Sequence, residues 1–224
     1  MRFCQFAGIL CCTTAAFISI TPIQVEAATF KVISGVTSID RDHEEILKSI
    51  GLILTGTNNT VPPIPSTYLV GFKIDPATNF TFSDEGGFNP LSGTIEHTGT
   101  VTFNNNITVG NFSIGLAPGR TVTGASGFVL RDTFSLNTIL FDLSIPGPVA
   151  FDGQNLTIPD VKLLISPEFA TILPKPNLTG LFAGTARIDA QVTAVPEPDS
   201  VLAVLATGAA LLATRFYTQK IKCT

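Results

Sequence analysis

His43 and His97 are the only histidines of the chain, and they are the first residues to consider for catalysis or metal binding. They lie far apart in the sequence, and His43 is followed by Glu44 and Glu45 without the second histidine of a zinc-binding helix motif. No Gly-x-Ser-x-Gly motif is present that would expose a serine nucleophile. We therefore expect two ordinary surface or strand histidines in a protein that is not an enzyme.

Two acidic clusters could bind calcium. Asp40, Asp42 and Glu44 alternate like the start of a calcium loop, but Glu45 stands where such a loop needs glycine. A solvated helix N-terminus accounts for this cluster better. Asp84–Glu85 precedes two glycines, and an exposed hairpin loop is the simpler interpretation of that stretch. No carboxylate pair stands out as the acid and nucleophile of a glycosidase, so we expect no metal site and no cofactor.

The end of the chain has the composition of a membrane anchor. The stretch Val201–Ala213 contains no charged residue and would form a helix of about 20 Å, which extends to about 27 Å if it runs from Ser200 to Tyr217. The hydrocarbon core of a bilayer is about 30 Å thick, so we expect a short transmembrane helix, with a buried core helix as the alternative. Three basic residues follow the run and place its end on the cytoplasmic side: Arg215, Lys220 and Lys222.

The residues before this run complete a known pattern. Pro196-Glu197-Pro198, then Ser200, an apolar run and Arg215 resemble the PEP-CTERM sorting signal of exported proteins in diderm bacteria that make extracellular polysaccharide. The resemblance implies that an exosortase, a membrane cysteine transpeptidase, recognises Pro-Glu-Pro and removes the helix. The sorting segment would cover residues 195–224. Its basic tail is dispersed, whereas the family pattern has an arginine cluster.

The start of the chain resembles a secretory signal peptide. A basic residue is followed by an apolar run from Phe6 to Ile20 and by the small residues Ala27 and Ala28. We expect residues 1–27 to be removed between Ala27 and Ala28, and a permanent N-terminal anchor is the alternative. Lipoprotein processing is excluded because Leu10, a large residue, precedes Cys11.

Removal of both ends would change the chemistry of the chain. The four cysteines all lie in those segments, so the mature body would contain no thiol and no disulfide: Cys4, Cys11, Cys12 and Cys223. The body from Ala28 to Pro198 keeps 9 basic and 15 acidic residues. Such a surface repels polyanions, so we expect no binding to nucleic acid.

The body alternates apolar and polar residues with the period of two that predicts strands with one buried face. The predicted buried positions are Tyr68, Val70, Phe72 and Ile74; Ile139, Phe141, Leu143 and Ile145; Val161, Leu163 and Ile165; and Ala186, Ile188, Ala190, Val192 and Ala194. The Asn104–Asn106 stretch predicts the turn of a further hairpin. The alternation then changes phase, which requires a bulge or a break near Gly110–Asn111 unless the strand crosses between faces.

Helical signals are few. Apolar residues recur with helical spacing over about 42–50, and Ser166-Pro167-Glu168 is a good helix start that should last little beyond Leu173. About ten strands and two short helices in one domain predict an all-β fold. We expect an antiparallel β-sandwich over residues 28–194, flanked by the signal peptide and the C-terminal helix.

These features predict an exported, non-catalytic protein of the cell surface or extracellular matrix. Its partners would be the secretion machinery, the exosortase, transiently the inner membrane, and extracellular polysaccharide. The alternative is a binding module for a glycan or another small ligand. A lectin-like site is disfavoured because the chain has no tryptophan and the body has Tyr68 as its one tyrosine.

Overall fold

A computed structural model describes residues 28–196 of the 224-residue chain. The predicted signal peptide with Ala27, the residues Glu197, Pro198 and Ser200 of the sorting motif, and the predicted C-terminal helix lie outside the described residues. Ala28 and Pro196 are the ends of the described part. Within 28–196, neither of the two α-helices has the length and apolar character needed to cross a membrane.

Strands dominate the described part of the chain. In order, the elements are β1 (Thr29–Ile39), α1 (Asp42–Ser49), β2 (Leu54–Asn58), β3 (Val70–Ile74), β4 (Thr81–Ser83), β5 (Asn89–Ser92), β6 (Thr94–Thr98), β7 (Thr100–Phe103), β8 (Ile107–Gly110), β9 (Ser113–Leu116), β10 (Ala125–Arg131), β11 (Ile139–Ser144), β12 (Ala150–Phe151), β13 (Asn155–Ile165), α2 (Pro167–Ile172), a 3-10 turn (Pro176–Leu178) and β14 (Phe182–Ala194). The predicted all-β class with two short helices is confirmed.

The main sheet closes on itself. Eight antiparallel strands form a ring in the order β1, β3, β6, β9, β10, β11, β13 and β14, and β14 pairs again with β1. The fold is therefore an eight-stranded antiparallel barrel with extra strands, where the sequence had predicted a sandwich of two sheets. Closure depends on the 13-residue strand β14, which pairs with β1 along one edge and with β13 along the other.

Irregularities in the long strands help the sheet to curl. The pairing of β1 with β14 shifts register between Val32 and Ser34, and that of β13 with β14 shifts between Ile158 and Val161. Such bulges bend a strand and increase its local twist. At Gly35, φ is +146°, and a Cβ there would lie 2.3 Å from the carbonyl oxygen of Asp189. Only glycine allows β1 and β14 to approach this closely.

The two ends of the barrel differ. One end, called the sealed end here, is covered by α1, α2 and a small sheet of β2, β7 and β8. The other end, called the open end, carries the first residue of β1 and the last residue of β14. There the backbone N–H of Val195 donates to the carbonyl oxygen of Thr29 at 2.8 Å. Both chain ends of the described part therefore leave the barrel at the open end.

The barrel and its cover are made from one continuous part of the chain. All strand pairs of both described sheets lie between Thr29 and Ala194. The buried apolar side chains form one cluster that includes residues of the barrel, of both helices and of the small sheet. Because the ring is closed within 29–194, these residues form a folding unit with its own core.

Several local predictions are confirmed. The phase change at Gly110–Asn111 is a break, because Asn111 has φ +44° and the chain passes there from β8 in the small sheet to β9 in the barrel. Asn104 and Asn105 have φ near +55° in the turn between β7 and β8, as a tight hairpin requires. The Ser166 hydroxyl accepts a hydrogen bond from the backbone N–H of Phe169 at 3.0 Å and caps α2.

Candidate binding cleft

A cleft of about 460 Å³ enters the barrel from the open end. Its deep wall consists of isoleucines from four barrel strands: Ile95 of β6, Ile114 of β9, Ile158 of β13 and Ile188 of β14. These side chains are at most 6% exposed. Alternate residues of a barrel strand point inward, so the apolar positions of these strands make an apolar interior. The volume lies within the usual range of about 300–1,000 Å³ for small-molecule sites.

Aromatic side chains form one side of the entrance. Phe80 precedes β4, Phe88 lies in the hairpin between β4 and β5, and Phe128 lies in β10. The ring centroids of Phe80 and Phe88 are 6.4 Å apart, and those of Phe80 and Phe128 are 6.2 Å apart. These distances are typical of packed aromatic pairs. The short β4–β5 hairpin is thereby attached to the barrel and extends the apolar wall outward.

The segment Ile145–Val149, which follows β11, also contributes to the lining of the cleft. Ile145 is 75% exposed although it lines the cleft. A second cavity of about 470 Å³ shares Phe80, Pro90 and Phe128 with the cleft and continues its apolar surface. This second cavity adds Leu91 and Leu116, which are 54% and 63% exposed. Large apolar side chains gathered around one opening indicate an interaction site.

Among residues 28–196, no charged side chain lines the cleft. Its two hydroxyls already have hydrogen-bond partners: Ser126 donates to the carbonyl oxygen of Leu143 at 2.8 Å, and Ser144 accepts from the backbone N–H of Lys162 at 2.9 Å. The cleft therefore offers apolar surface, with no ionic contact for a ligand. Such a site selects ligands by shape and by the apolar area that they bury.

The sealed end has almost no free space. The cavity beneath α1 and the small sheet has a volume of about 40 Å³, less than a tenth of the 460 Å³ of the cleft. His43 on α1 lines it and donates from Nδ1 to the carbonyl oxygen of Ala183. Burial lowers the pKa of His43 to about 4, so the ring is neutral at pH 7. His43 is therefore a packed structural residue.

His97 lies in the core between two partners. Nδ1 of His97 lies 2.8 Å from the backbone carbonyl oxygen of Phe112. Because a carbonyl oxygen can only accept a hydrogen bond, Nδ1 carries the proton and donates it. The other nitrogen, Nε2, then accepts from the Thr37 hydroxyl at 2.7 Å. Burial lowers the pKa of His97 to about 4. His97 is a strand residue, as one of the two interpretations of the sequence had it, and both of its nitrogens are occupied.

The acidic clusters predicted from the sequence remain apart. Asp40 accepts a hydrogen bond from the backbone N–H of Asp42 at 3.1 Å, at the start of α1. Asp84 and Glu85 lie exposed in the loop between β4 and β5, so the hairpin interpretation is confirmed. Within residues 28–196, the structure contains no group of three or more His, Asp or Glu side chains that could hold a metal ion.

Sequence reasoning missed an ion cluster around Arg120. Its guanidinium donates to Asp142 at 2.6 and 2.8 Å and to Glu168 at 2.6 and 2.9 Å. Hydrogen bonds to Asp142 and then to Glu168 raise the pKa of Arg120, and the hydrogen bond from Arg120 lowers the pKa of Glu168 to about 2. Asp142 and Glu168 lie 22 and 48 positions from Arg120 in the sequence, so no local pattern could reveal the cluster. The cluster joins the β9–β10 connection to β11 and α2.

A second buried acid, Asp132, organises the loop between β10 and β11. Its side chain is fully buried and accepts hydrogen bonds from the backbone N–H groups of Gly110, Phe134, Ser135, Leu136 and Asn137. A carboxylate with so many backbone donors fixes the conformation of its loop. Asp132 is therefore a structural residue of the sealed end.

Of the predicted processing residues, the structure describes two. Pro196 is exposed, and Ala28 is half-buried. Comparisons with protein-family models, curated proteins and solved structures found no match to this chain. The class defined by fold and site is therefore an antiparallel eight-stranded barrel with an apolar cleft at one end.

Proposed function

We propose that the protein is an exported, non-catalytic protein of the cell surface or extracellular matrix, whose barrel binds a small apolar molecule. The observation that carries the binding role is the uncharged cleft of about 460 Å³ at the open end. A glycan is disfavoured as its ligand, because sugars need polar groups that fix their hydroxyls, and the two cleft hydroxyls are engaged within the protein.

Export and processing are supported by the sequence. The signal-like residues 1–27 with the Ala27–Ala28 junction, and the Pro196-Glu197-Pro198 triplet with Ser200, would direct the body across the inner membrane to an exosortase. Exposure of Pro196 is compatible with enzyme access. After cleavage, the body would remain on the cell surface or in the polysaccharide matrix.

The processing hypothesis is tested with Glu197→Ala in a host that carries the exosortase. The variant should be exported but should keep its C-terminal segment and stay in the inner membrane. Asp199→Ala is the matched control, because it removes a neighbouring acid outside the triplet and should be processed normally. Cell fractionation and mass spectrometry of the C-terminus report the result. Retention of Cys223 in the native surface protein would refute processing and leave a permanent anchor.

A further inference from the structure

We propose that the open-end cleft binds one unbranched acyl chain of a single-chain lipid, with the tail inside the barrel and the head group in solvent. The site is the cavity between the four deep isoleucines and the Phe80–Phe128 side of the entrance. The choice of ligand rests on the proposed binding role, and the nearness of the opening to a membrane rests in addition on the proposed export.

The lining determines which part of the ligand is recognised. In the described part of the chain, no side chain that lines the cleft could pair with a charged head group, and both cleft hydroxyls are engaged. A head group therefore gains nothing by entering, whereas every methylene that enters is removed from water. A long, flexible tail suits a cavity whose lining includes the buried side chains of Ile114, Ile158 and Ile188.

The cleft is too small for two bulkier apolar occupants, a helix of this protein and a lipid with two acyl chains. An α-helix with its side chains is about 10–12 Å wide, so a helix formed by Val201–Ala213 would fill several times the available 460 Å³. A two-chain lipid would likewise leave its second chain outside. A single acyl chain fits the volume and leaves no apolar part of the ligand exposed.

The position of the chain ends places the opening near a source of such ligands. β14 ends at Ala194 on the open end, and at most about 25 Å of extended chain can separate Ala194 from Val201. Under the proposed function, the apolar stretch that begins at Val201 enters the membrane before processing. The opening would then lie close to that membrane surface.

The test measures displacement of cis-parinaric acid, a fluorescent fatty acid, from the body 28–196. This body contains the complete closed barrel. Competitors are unbranched alcohols from octanol to tetradecanol. Their Kd should fall about fourfold for each added methylene and then level off when the cleft is full. Decanoate and decanol should compete equally, because no charged group faces the cleft. Absence of displacement, or no dependence on chain length, would overturn the proposal.

Variants locate the site. Ile145→Glu should weaken binding of decanol at least about tenfold, since it places a charge at the apolar entrance, while the melting temperature should hold because Ile145 is 75% exposed. The second variant is Leu116→Glu. Leu116 is 63% exposed and lines the second cavity, which continues the cleft. Ile53→Glu is the matched control at the sealed end, where Ile53 is 51% exposed and lines neither cavity of the open end. An equal effect of Ile53→Glu would contradict a site at the open end.

One further comparison tests the alternative that the chain's own apolar segment occupies the cleft. The full chain is transferred from detergent into lipid nanodiscs before the measurement. The full chain and the body 28–196 should then bind cis-parinaric acid with the same Kd. Binding by the body alone would mean that the chain's own apolar segment occupies the cleft, and it would overturn the proposed ligand. Failure of the Glu197→Ala experiment would leave these binding results unaffected, so the two proposals fail separately.

Discussion

Replacement of Arg120 by methionine should destabilise the protein more than any other removal of a single charge in the ion cluster. Asp142 is completely buried, and Arg120 provides both of its cationic hydrogen bonds at 2.6 and 2.8 Å. Without Arg120, a buried carboxylate loses its partner, which typically costs about 3–5 kcal/mol. The free energy of unfolding of the body 28–196 should fall by that amount. Methionine retains an apolar stem like that of arginine, so little of the packing made by the stem is lost.

Glu168 provides the contrast within the same cluster. Its side chain is 39% exposed, so solvent screens its contact with Arg120 and hydrates the carboxylate when that contact is lost. Glu168→Gln should therefore cost no more than about 1 kcal/mol. The expected losses of unfolding free energy for Arg120→Met and Glu168→Gln differ because Asp142 is buried and Glu168 is partly exposed. Distance does not explain the difference, because Arg120 contacts both acids at similar distances.

Urea denaturation at pH 7, followed by circular dichroism, measures these changes. The double variant Arg120→Met with Asp142→Asn should recover part of the stability lost in Arg120→Met, because it removes the unpaired buried charge. Arg187→Met is the control, since the pair of Arg187 and Asp189 is partly exposed and should contribute about 1 kcal/mol or less. If Arg120→Met lowers the free energy of unfolding no more than Arg187→Met does, burial of Asp142 does not make its pairing with Arg120 important for stability.

Two further predictions concern the core. The pKa of His97 is lowered from 6.5 to about 4 in the folded protein, so its contribution to stability is complete above pH 6.5 and is lost as the pH falls from 6.5 to 4. His97→Gln should make the decline in unfolding free energy over this interval less steep without abolishing it, because the pKa of His43 is also lowered to about 4. A slope equal to that of the wild type would contradict the assignment. Gly35→Ala should cost about 3 kcal/mol or more, because the new Cβ would meet the Asp189 carbonyl oxygen at 2.3 Å. Gly86→Ala, with φ +70° and no atom within 4 Å, is the control and should cost only about 1 kcal/mol; equal losses on thermal denaturation would refute the close approach of β1 and β14.

Alternation along single strands could be predicted because it is a local property. Of the predicted positions of β14, Ala186, Ile188, Ala190 and Val192 are buried, whereas Ala194 at the end of the strand is exposed. The prediction failed where contacts between residues distant in the sequence determine which side chains are buried. Alternation along β11 would put Asp142 on the solvent face, opposite Phe141 and Leu143. Asp142 is instead buried against Arg120, whose position in the sequence carries no such signal.

Closure of the barrel and the presence of the cleft could not be predicted. Closure depends on the pairing of Phe30 with Ala194 and of Leu156 with Ala190, and only the first of these joins opposite ends of the body. Strand alternation indicates which side chains face inward, but the free volume depends on strand number, tilt and the cover at each end. Ile145 illustrates this limit. It continues the apolar alternation of β11, yet it follows the end of that strand and lies exposed at the entrance to the cleft.

The most direct test of the binding site is an isoleucine-methyl NMR titration of the body 28–196 with decanol. We expect the methyl resonances of Ile114, Ile158 and Ile188 to shift and saturate together, while those of Ile53 and Ile172, which do not line the cleft, stay in place. Shifts confined to exposed isoleucines, or distributed equally over both sets, would show that decanol does not enter the barrel and would contradict the assignment of the cleft as a ligand site.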